Sequence, residues 1–407
     1  MNFVEELRWR GMIHDIMPET EKFLSENKVS GYIGFDPTSD SLHIGSLVQI
    51  MILVHFQKHG HTPYVLVGGA TGMVGDPSGK SKERNLLEKD ELFHNVEAIQ
   101  KQLAKFLEFE HVPNAAAMVN NYDWFKSFNF LDFIRDVGKH ISVNYMMAKE
   151  SVKKRLETGI SFTEFTYQLV QGYDFYWLYK NHQCKVQMGG SDQWGNILSG
   201  VDLIRKINKK DAFGITSPLI TNADGSKMGK TVDGAVWLNK EKISSLDFFQ
   251  FWRNVDDKDV PKFLNLFTKL PLNEIKKLSL LKDKEINEAK KILAYEITKI
   301  VRGKDEANEA IEMANNIFNS NIADERLPTI IEKKFDLKNN TFSILDAIEK
   351  LDLVKSRSEI KRLIKSDGIK VNDRIYKNSN LSLNEFSDLN EIKITIGKKK
   401  NGILKII

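Results

Sequence analysis

The chain holds a single cysteine, Cys184. One thiol cannot close an intrachain disulfide or build a thiolate zinc cluster, and such sparing use is compatible with a reducing compartment. Long apolar runs are missing as well: the longest, such as 48–56, fall far short of the roughly 20 residues that a membrane helix needs. No secretory leader is expected at the start of the sequence, because Glu5, Glu6, Arg8 and Arg10 interrupt the first apolar residues. These absences predict a cytoplasmic protein with no membrane partner. A strong excess of one charge is absent too, with 59 Lys and Arg against 55 Asp and Glu giving a net +4. At 41% hydrophobic and 28% charged residues the composition is that of a globular protein, which excludes wholesale disorder and collagen-like repeats. A length of 407 residues predicts two or three domains at roughly 100 to 200 residues each.

The distribution of charge says more than its sum. Residues 342–407 carry 14 basic and 9 acidic side chains, so the whole basic excess lies there, much of it around Lys355, Arg357, Lys361, Arg362 and Lys365. A solvated lysine-rich face and a module that meets phosphates both account for this run. Upstream, residues 1–220 alternate short strand-like runs (31–35, 63–67, 116–120, 185–188, 215–220) with helical patterns (46–60, 89–109, 162–181, 193–208), which predicts an α/β fold with a parallel sheet. From 243 to about 318 the strand signals vanish and amphipathic helices remain. Residues 321–341 lose periodicity and read as a linker, and a small mixed α/β module follows.

Some apparent motifs fail on their spacing. Gly75-Asp76-Pro77-Ser78-Gly79-Lys80-Ser81 has three residues between its glycines where a P-loop has four. His55, His59 and His61 have no Asp, Glu or Cys in their stretch to complete a closed site, so no metal is expected. Other signals are consistent with polyphosphate chemistry. The run 31–38 ends in Asp36-Pro37-Thr38, and His43-Ile44-Gly45-Ser46 then opens an apolar helix, whose free N–H groups and positive dipole end suit an anion. Lys227 and Lys230 lie three apart between glycines, a cationic loop able to follow charge developing on a phosphate; a plain hydrophilic turn fits the same residues. Lys80 and Arg84 add cations. Tyr167, Gln171 and Asp174, at i, i+4 and i+7, share one helix face among apolar neighbours, where they need either an internal hydrogen-bond network or a polar ligand. Residues 189–196 (Gly-Gly-Ser-Asp-Gln-Trp-Gly-Asn) join a strand to a helix, where open parallel sheets place ligands.

Taken in order, Tyr-Ile-Gly-Phe-Asp-Pro-Thr (32–38), His-Ile-Gly-Ser (43–46), Gly-Asp-Pro-Ser-Gly-Lys (75–80), Tyr-Gln-Leu-Val-Gln-Gly-Tyr-Asp (167–174), Gly-Gly-Ser-Asp-Gln-Trp-Gly-Asn (189–196) and Lys-Met-Gly-Lys-Thr (227–231) resemble the class I aminoacyl-tRNA synthetases, and among them the bacterial-type tyrosyl enzymes. The segment 353–364 with Val371-Asn372 resembles an S4-type RNA-binding module. The resemblance implies a Rossmann-like catalytic domain (1–220), the signature lysine loop with a helical anticodon-side domain (221–320), the linker (321–341) and an S4-like domain (342–407). It implies that Tyr32 and Asp174 hold a tyrosine phenol, that Asp76, Tyr167 and Gln171 hold its amino group, and that Asp36, Asp192 and Gln193 place the amino acid and ribose. Gly34, Gly45, Ser46, Gly190 and Met228 would line the nucleotide. Thr38 and His43 would meet the phosphates of ATP, supplied with Mg2+ as the substrate complex, while Lys80, Arg84, Lys227, Lys230 and Thr231 would stabilise pyrophosphate. Lys355, Arg357, Lys361 and Arg362 would meet tRNA(Tyr), and the enzyme would be a homodimer with an interface around 125–141. The chain departs from the family signatures in having Ser46 where a second histidine is usual, and Gly229 and Thr231 where serines are.

Overall fold

A computed structural model describes residues 1–78, 86–156, 159–223, 225, 228–231, 234–319, 327–354, 356–377, 380–397 and 400–407. These form two compact units, Met1–Lys304 and Asp305–Ile407.

The first unit is built on a six-stranded sheet in the order β1-β6-β5-β2-β3-β4. Its strands are β1 (Asp15–Ile16), β2 (Ser30–Phe35), β3 (Thr62–Val67), β4 (Ala117–Asn120), β5 (Cys184–Gly190) and β6 (Phe213–Ser217). The five long strands run parallel and the two-residue β1 pairs antiparallel with β6. In β5 the side chains of Val186, Gln187 and Met188 are all buried, as expected of a strand covered on both faces by crossover helices. The expected strands and helices are present with shifted ends. The last strand ends at Ser217 rather than 220, and the helix expected over 89–109 stops at Leu103. Strand β1 is too short to leave a periodic signal.

The helices from Ser245 to Arg302, expected to form a separate domain with the one after them, belong to the same compact unit as the sheet, whereas helix Lys304–Asn319 falls almost wholly in the second unit. The physical reason is a buried ionic hub that joins the two regions. Arg10, at the end of helix Phe3–Arg10, donates from its guanidinium to the carbonyls of Asn265 (2.9 Å), Thr268 (3.1 Å) and Leu270 (3.3 Å) and to the Glu6 carboxylate (3.0 Å). It thereby satisfies carbonyls at the end of helix Val260–Phe267 that have no partner within the helix. Burial pushes the Glu6 carboxyl up, but hydrogen bonds from His59 and Arg10 outweigh it and hold it at about 2. His55 and His59 thus meet a carboxylate that their own stretch lacks, accompanied by Arg10 and Lys58, and this surplus of cations is hostile to a metal ion. Among the described residues no group of three or more His, Cys, Asp or Glu is placed to hold one.

The second unit centres on a five-stranded sheet, β11-β10-β12-β13-β9. It comprises β9 (Thr329–Glu332), β10 (Ile369–Val371), β11 (Arg374–Ile375), β12 (Glu391–Ile396) and β13 (Lys400–Ile406), while β7 (Lys230–Thr231) and β8 (Gly234–Ala235) form a small hairpin in the first unit. Part of the expected linker is therefore folded: β9 pairs in parallel with β13, and Leu337 is fully buried in the core. An edge strand of four residues followed by one helical turn carries too little periodicity to be read from sequence. Helix Arg357–Lys365 buries Ile360 and leaves Lys361, Arg362 and Lys365 exposed.

Candidate active site

Strand order reverses beside β2, because the chain passes from β2 to β3 and β4 on one side and then returns to β5 and β6 on the other. The carboxyl ends of β2 and β5 diverge there, which opens a crevice in a parallel sheet. A cavity of about 440 Å³ occupies it. Tyr32 and Gly34 from β2 line it, followed by Asp36 and Thr38 from the turn beyond. His43, Gly45 and Ser46 come from the next helix start, Asp76 from the turn after β3, and Gly190, Asp192 and Gln193 from the end of β5. Helix Phe162–His182 turns Tyr167, Gln171 and Asp174 into the same cavity, so the polar stripe faces a space and not only its own neighbours.

Asp174, which lines the cavity, is only 1% exposed. Asn121 Nδ2 donates to its Oδ2 (3.0 Å) and Trp124 Nε1 to its Oδ1 (2.9 Å). Burial nevertheless pushes its carboxyl up to about 8 against those two donors, with the Asp36 carboxylate adding to the rise. Beside it the Tyr32 hydroxyl is buried without a hydrogen-bond partner, and so is the Gln171 Oε1. Burial and the Asp174 charge raise the Tyr32 phenol well above its usual range, which keeps it a neutral donor. A buried hydroxyl with no partner is costly, and a ligand group entering the cavity relieves that cost.

The two ends of the cavity are connected. Asn121 also donates to Thr71 Oγ1 (3.1 Å), Thr71 donates to Asp36 Oδ1 (2.8 Å), and the Tyr167 hydroxyl donates to Asp36 Oδ2 (2.8 Å). Asp76 is held by the Ser78 N–H (2.9 Å) and by Gln193 Nε2 (2.7 Å). At the outer end the Gly45 N–H donates to His43 Nδ1 (3.0 Å), so the imidazole proton lies on Nε2 and that nitrogen is the ring's donor. A Cβ on Gly45 would stand 2.6 Å from the His43 ring, so this glycine accommodates the imidazole itself. Sequence reasoning assigned it to close approach by a nucleotide.

A cavity with a neutral phenol and a carboxyl group at its floor, and a helix start with an imidazole at its mouth, fits an amphiphilic amino acid joined to a phosphate. Residues 24–319 match the model of the tRNA synthetases class I (W and Y). The chain belongs to that family. It is 50% identical over 397 residues to the Tyrosine--tRNA ligase of Bacteroides fragilis, covering 91% of each chain. It is 46% identical over 429 aligned residues to that of Porphyromonas gingivalis, covering 100% of each. Among solved structures it resembles the C-terminally truncated Aspergillus nidulans mitochondrial tyrosyl-tRNA synthetase with a TM-score of 0.71 at 32% identity, over 78% of this chain and 94% of that one.

For this class I synthetase the structure gathers fourteen of the expected site residues on one cavity. Met228 is buried and does not line it, with its N–H bonded to the Ile220 carbonyl (3.1 Å). Lys230 and Thr231 form β7, but their side chains, like Lys80, Arg84, Lys227 and Lys355, lie outside the described residues. Of the residues expected at RNA, Arg357 is ion-paired with Asp346 (2.7 Å) and Glu349 (2.7 Å) rather than presented alone, and Lys361 and Arg362 are exposed. Sequence reasoning missed Asn121, Trp124 and Thr71. The rule that ligands gather at the carboxyl ends of parallel strands points to Asn121, which directly follows β4.

Proposed function

We propose that the chain is a tyrosine–tRNA ligase of the bacterial type, forming tyrosyl-adenylate from L-tyrosine and Mg2+-bound ATP and transferring the tyrosyl group to tRNA(Tyr) in the cytoplasm. The observation that carries this reading is the buried Asp174 carboxyl beside the unpartnered Tyr32 hydroxyl at the floor of the cavity. A phenol satisfies both, since it donates to one and accepts from the other. Asp76, Tyr167 and Gln171 then take the ammonium group, and Asp36, Asp192 and Gln193 place the carboxylate and the ribose. The carboxylate oxygen attacks the α-phosphorus as the bond to pyrophosphate breaks, and no general base is needed because the nucleophile is already ionised. Positioning, the charges of Lys80, Arg84, Lys227 and Lys230, and hydrogen bonds from His43 Nε2–H and the Thr231 hydroxyl supply the catalysis. A hydroxyl of the terminal ribose of tRNA next attacks the anhydride carbonyl, its proton leaves, and AMP departs. The basic face of helix Arg357–Lys365 meets RNA phosphates.

Pyrophosphate exchange into ATP, run with each amino acid separately, tests the reading. Exchange with tyrosine alone, abolished in Lys230→Ala, is expected. Exchange with tryptophan instead would reassign Asp174.

The same reading includes a homodimer. On helix Phe130–Asp136, Phe130 is 63% exposed, Leu131 71% and Ile134 46%, an apolar cluster unusual for a free surface. Sedimentation equilibrium should return twice the chain's 46.7 kDa, and Leu131→Asp should shift the mass toward one chain. A wild-type mass of one chain at micromolar concentration would refute the dimer.

A further inference from the structure

Trp177 does not line the cavity, yet its ring is set against a group on which the cavity depends. It lies half-buried on helix Phe162–His182, three residues beyond Asp174. Its indole stacks on that of Trp124, with ring centroids 4.2 Å apart and planes 13° from parallel. Trp124 is the residue whose Nε1–H donates to Asp174 Oδ1 (2.9 Å). An indole N–H lies in the plane of its ring, and a hydrogen bond weakens steeply as the N–H leaves the line to the acceptor. Whatever fixes the plane of Trp124 therefore fixes its bond to Asp174. Trp177 is held in turn by His182, whose ring tilts against it at 5.4 Å and against Tyr64 of β3 at 5.1 Å. Residues three apart are neighbours on a helix surface, so one helix supplies both the acceptor and the platform that aims a donor at it from helix Tyr122–Phe125.

We infer that Trp177 is a positioning residue for tyrosine selection: its ring, stacked on Trp124, aims the indole N–H at Asp174 and so readies that carboxyl for the substrate phenol. The inference rests on the proposed reaction and deepens it.

Trp177→Leu keeps apolar bulk and removes the flat ring. It should raise KM for tyrosine in pyrophosphate exchange about 3- to 10-fold, the worth of roughly one hydrogen bond, while kcat and the values for phenylalanine stay within about twofold. Trp177→Phe restores a ring to stack on and should return most of the loss. Losing a donor to its charged form pushes the Asp174 carboxyl above about 8, so tyrosine affinity in Trp177→Leu should go on climbing beyond pH 8. Asp36, Tyr32, Tyr167 and Tyr173 also bear on that carboxyl and are left in place by the substitution. In a Trp124→Phe background there is no N–H to aim, and Trp177→Leu should cost nothing further. NMR of the indole N–H groups, assigned with Trp124→Phe, should show the Trp124 signal moving in Trp177→Leu and not in Tyr176→Leu, which alters another half-buried aromatic of the same helix. An unmoved Trp124 signal with wild-type KM in Trp177→Leu would overturn the inference, as would the same loss in the Trp124→Phe background or equal losses for tyrosine and phenylalanine. Should the wild-type enzyme fail to exchange with tyrosine, the reaction is wrong, and the NMR comparison still decides whether Trp177 aims Trp124.

Discussion

Asp174→Ala is expected to lower kcat/KM for tyrosine in pyrophosphate exchange by about 10²- to 10⁴-fold while leaving the value for phenylalanine within a few-fold. The carboxylate serves two buried donors, Asn121 and Trp124, and in the proposed complex it also takes the substrate phenol. Removing it leaves buried donors unpaired on both sides of the cavity, at about 1.5–3 kcal/mol for each hydrogen bond to a charged group, and 1.4 kcal/mol is about tenfold. Phenylalanine has no hydroxyl to lose. Equal losses for both amino acids would mean that Asp174 supports the fold and not the phenol. A pH dependence goes with this prediction. Burial holds the free site's carboxyl at about 8, so at pH 7 it carries a proton that must leave if the ionised form accepts the phenol. Raising pH therefore favours binding: tyrosine affinity should climb up to about pH 8, by at most about tenfold per unit, and then level off. Calorimetry in buffers of different ionisation enthalpy should find up to one proton released near pH 7. A flat profile from pH 6 to 8 would exclude this proton release.

His43→Asn is expected to reduce kcat for exchange by about 10²- to 10³-fold, the usual cost of losing one donor aimed at developing charge, with KM for tyrosine unchanged. The imidazole has two separable jobs. Nδ1 accepts the Gly45 N–H and so caps the turn, while Nε2–H is the donor that the mechanism assigns to a phosphate. Asparagine places an acceptor near the Nδ1 position and nothing at Nε2, whereas His43→Gln places an N–H near Nε2 and gives up the cap. Glutamine should therefore keep most of the activity that asparagine loses. The opposite ranking would show that the cap, which sets the path of Ile44 and Gly45, is what matters.

Much of this site was legible one segment at a time. Tyr167, Gln171 and Asp174 share a helix face by spacing alone, and apolar neighbours at 165, 169, 170 and 175 made the stripe a buried one. The strand at 31–35 ended where a Pro turn and a helix start followed, so Asp36, Thr38 and His43 could be placed at its carboxyl end. Gly45 shows where such reading stops. The sequence records a glycine beside a histidine, while the reason for it is the position of the imidazole over the Gly45 N–H, a matter of side-chain geometry. The 321–341 segment shows a second limit: β9 is recognisable as a strand only because β13, more than 70 residues further on, lies beside it.

What the sequence determined by itself is the local order: the alternation of strands and helices, the polar face of one long helix, the basic C-terminal module and the sequence of motifs. Each depends on periodicity or spacing within some 20 residues, which the backbone translates directly into a face or a turn. Only the tertiary structure decided which groups hold Asp174, since Asn121 stands 53 residues away, and which carbonyls hold Arg10, since Thr268 stands 258 away. Burial sets those pairings: once the strands close into a sheet, each polar group carried inward must be satisfied by whatever the packing brings beside it, and no local pattern records which residue that is.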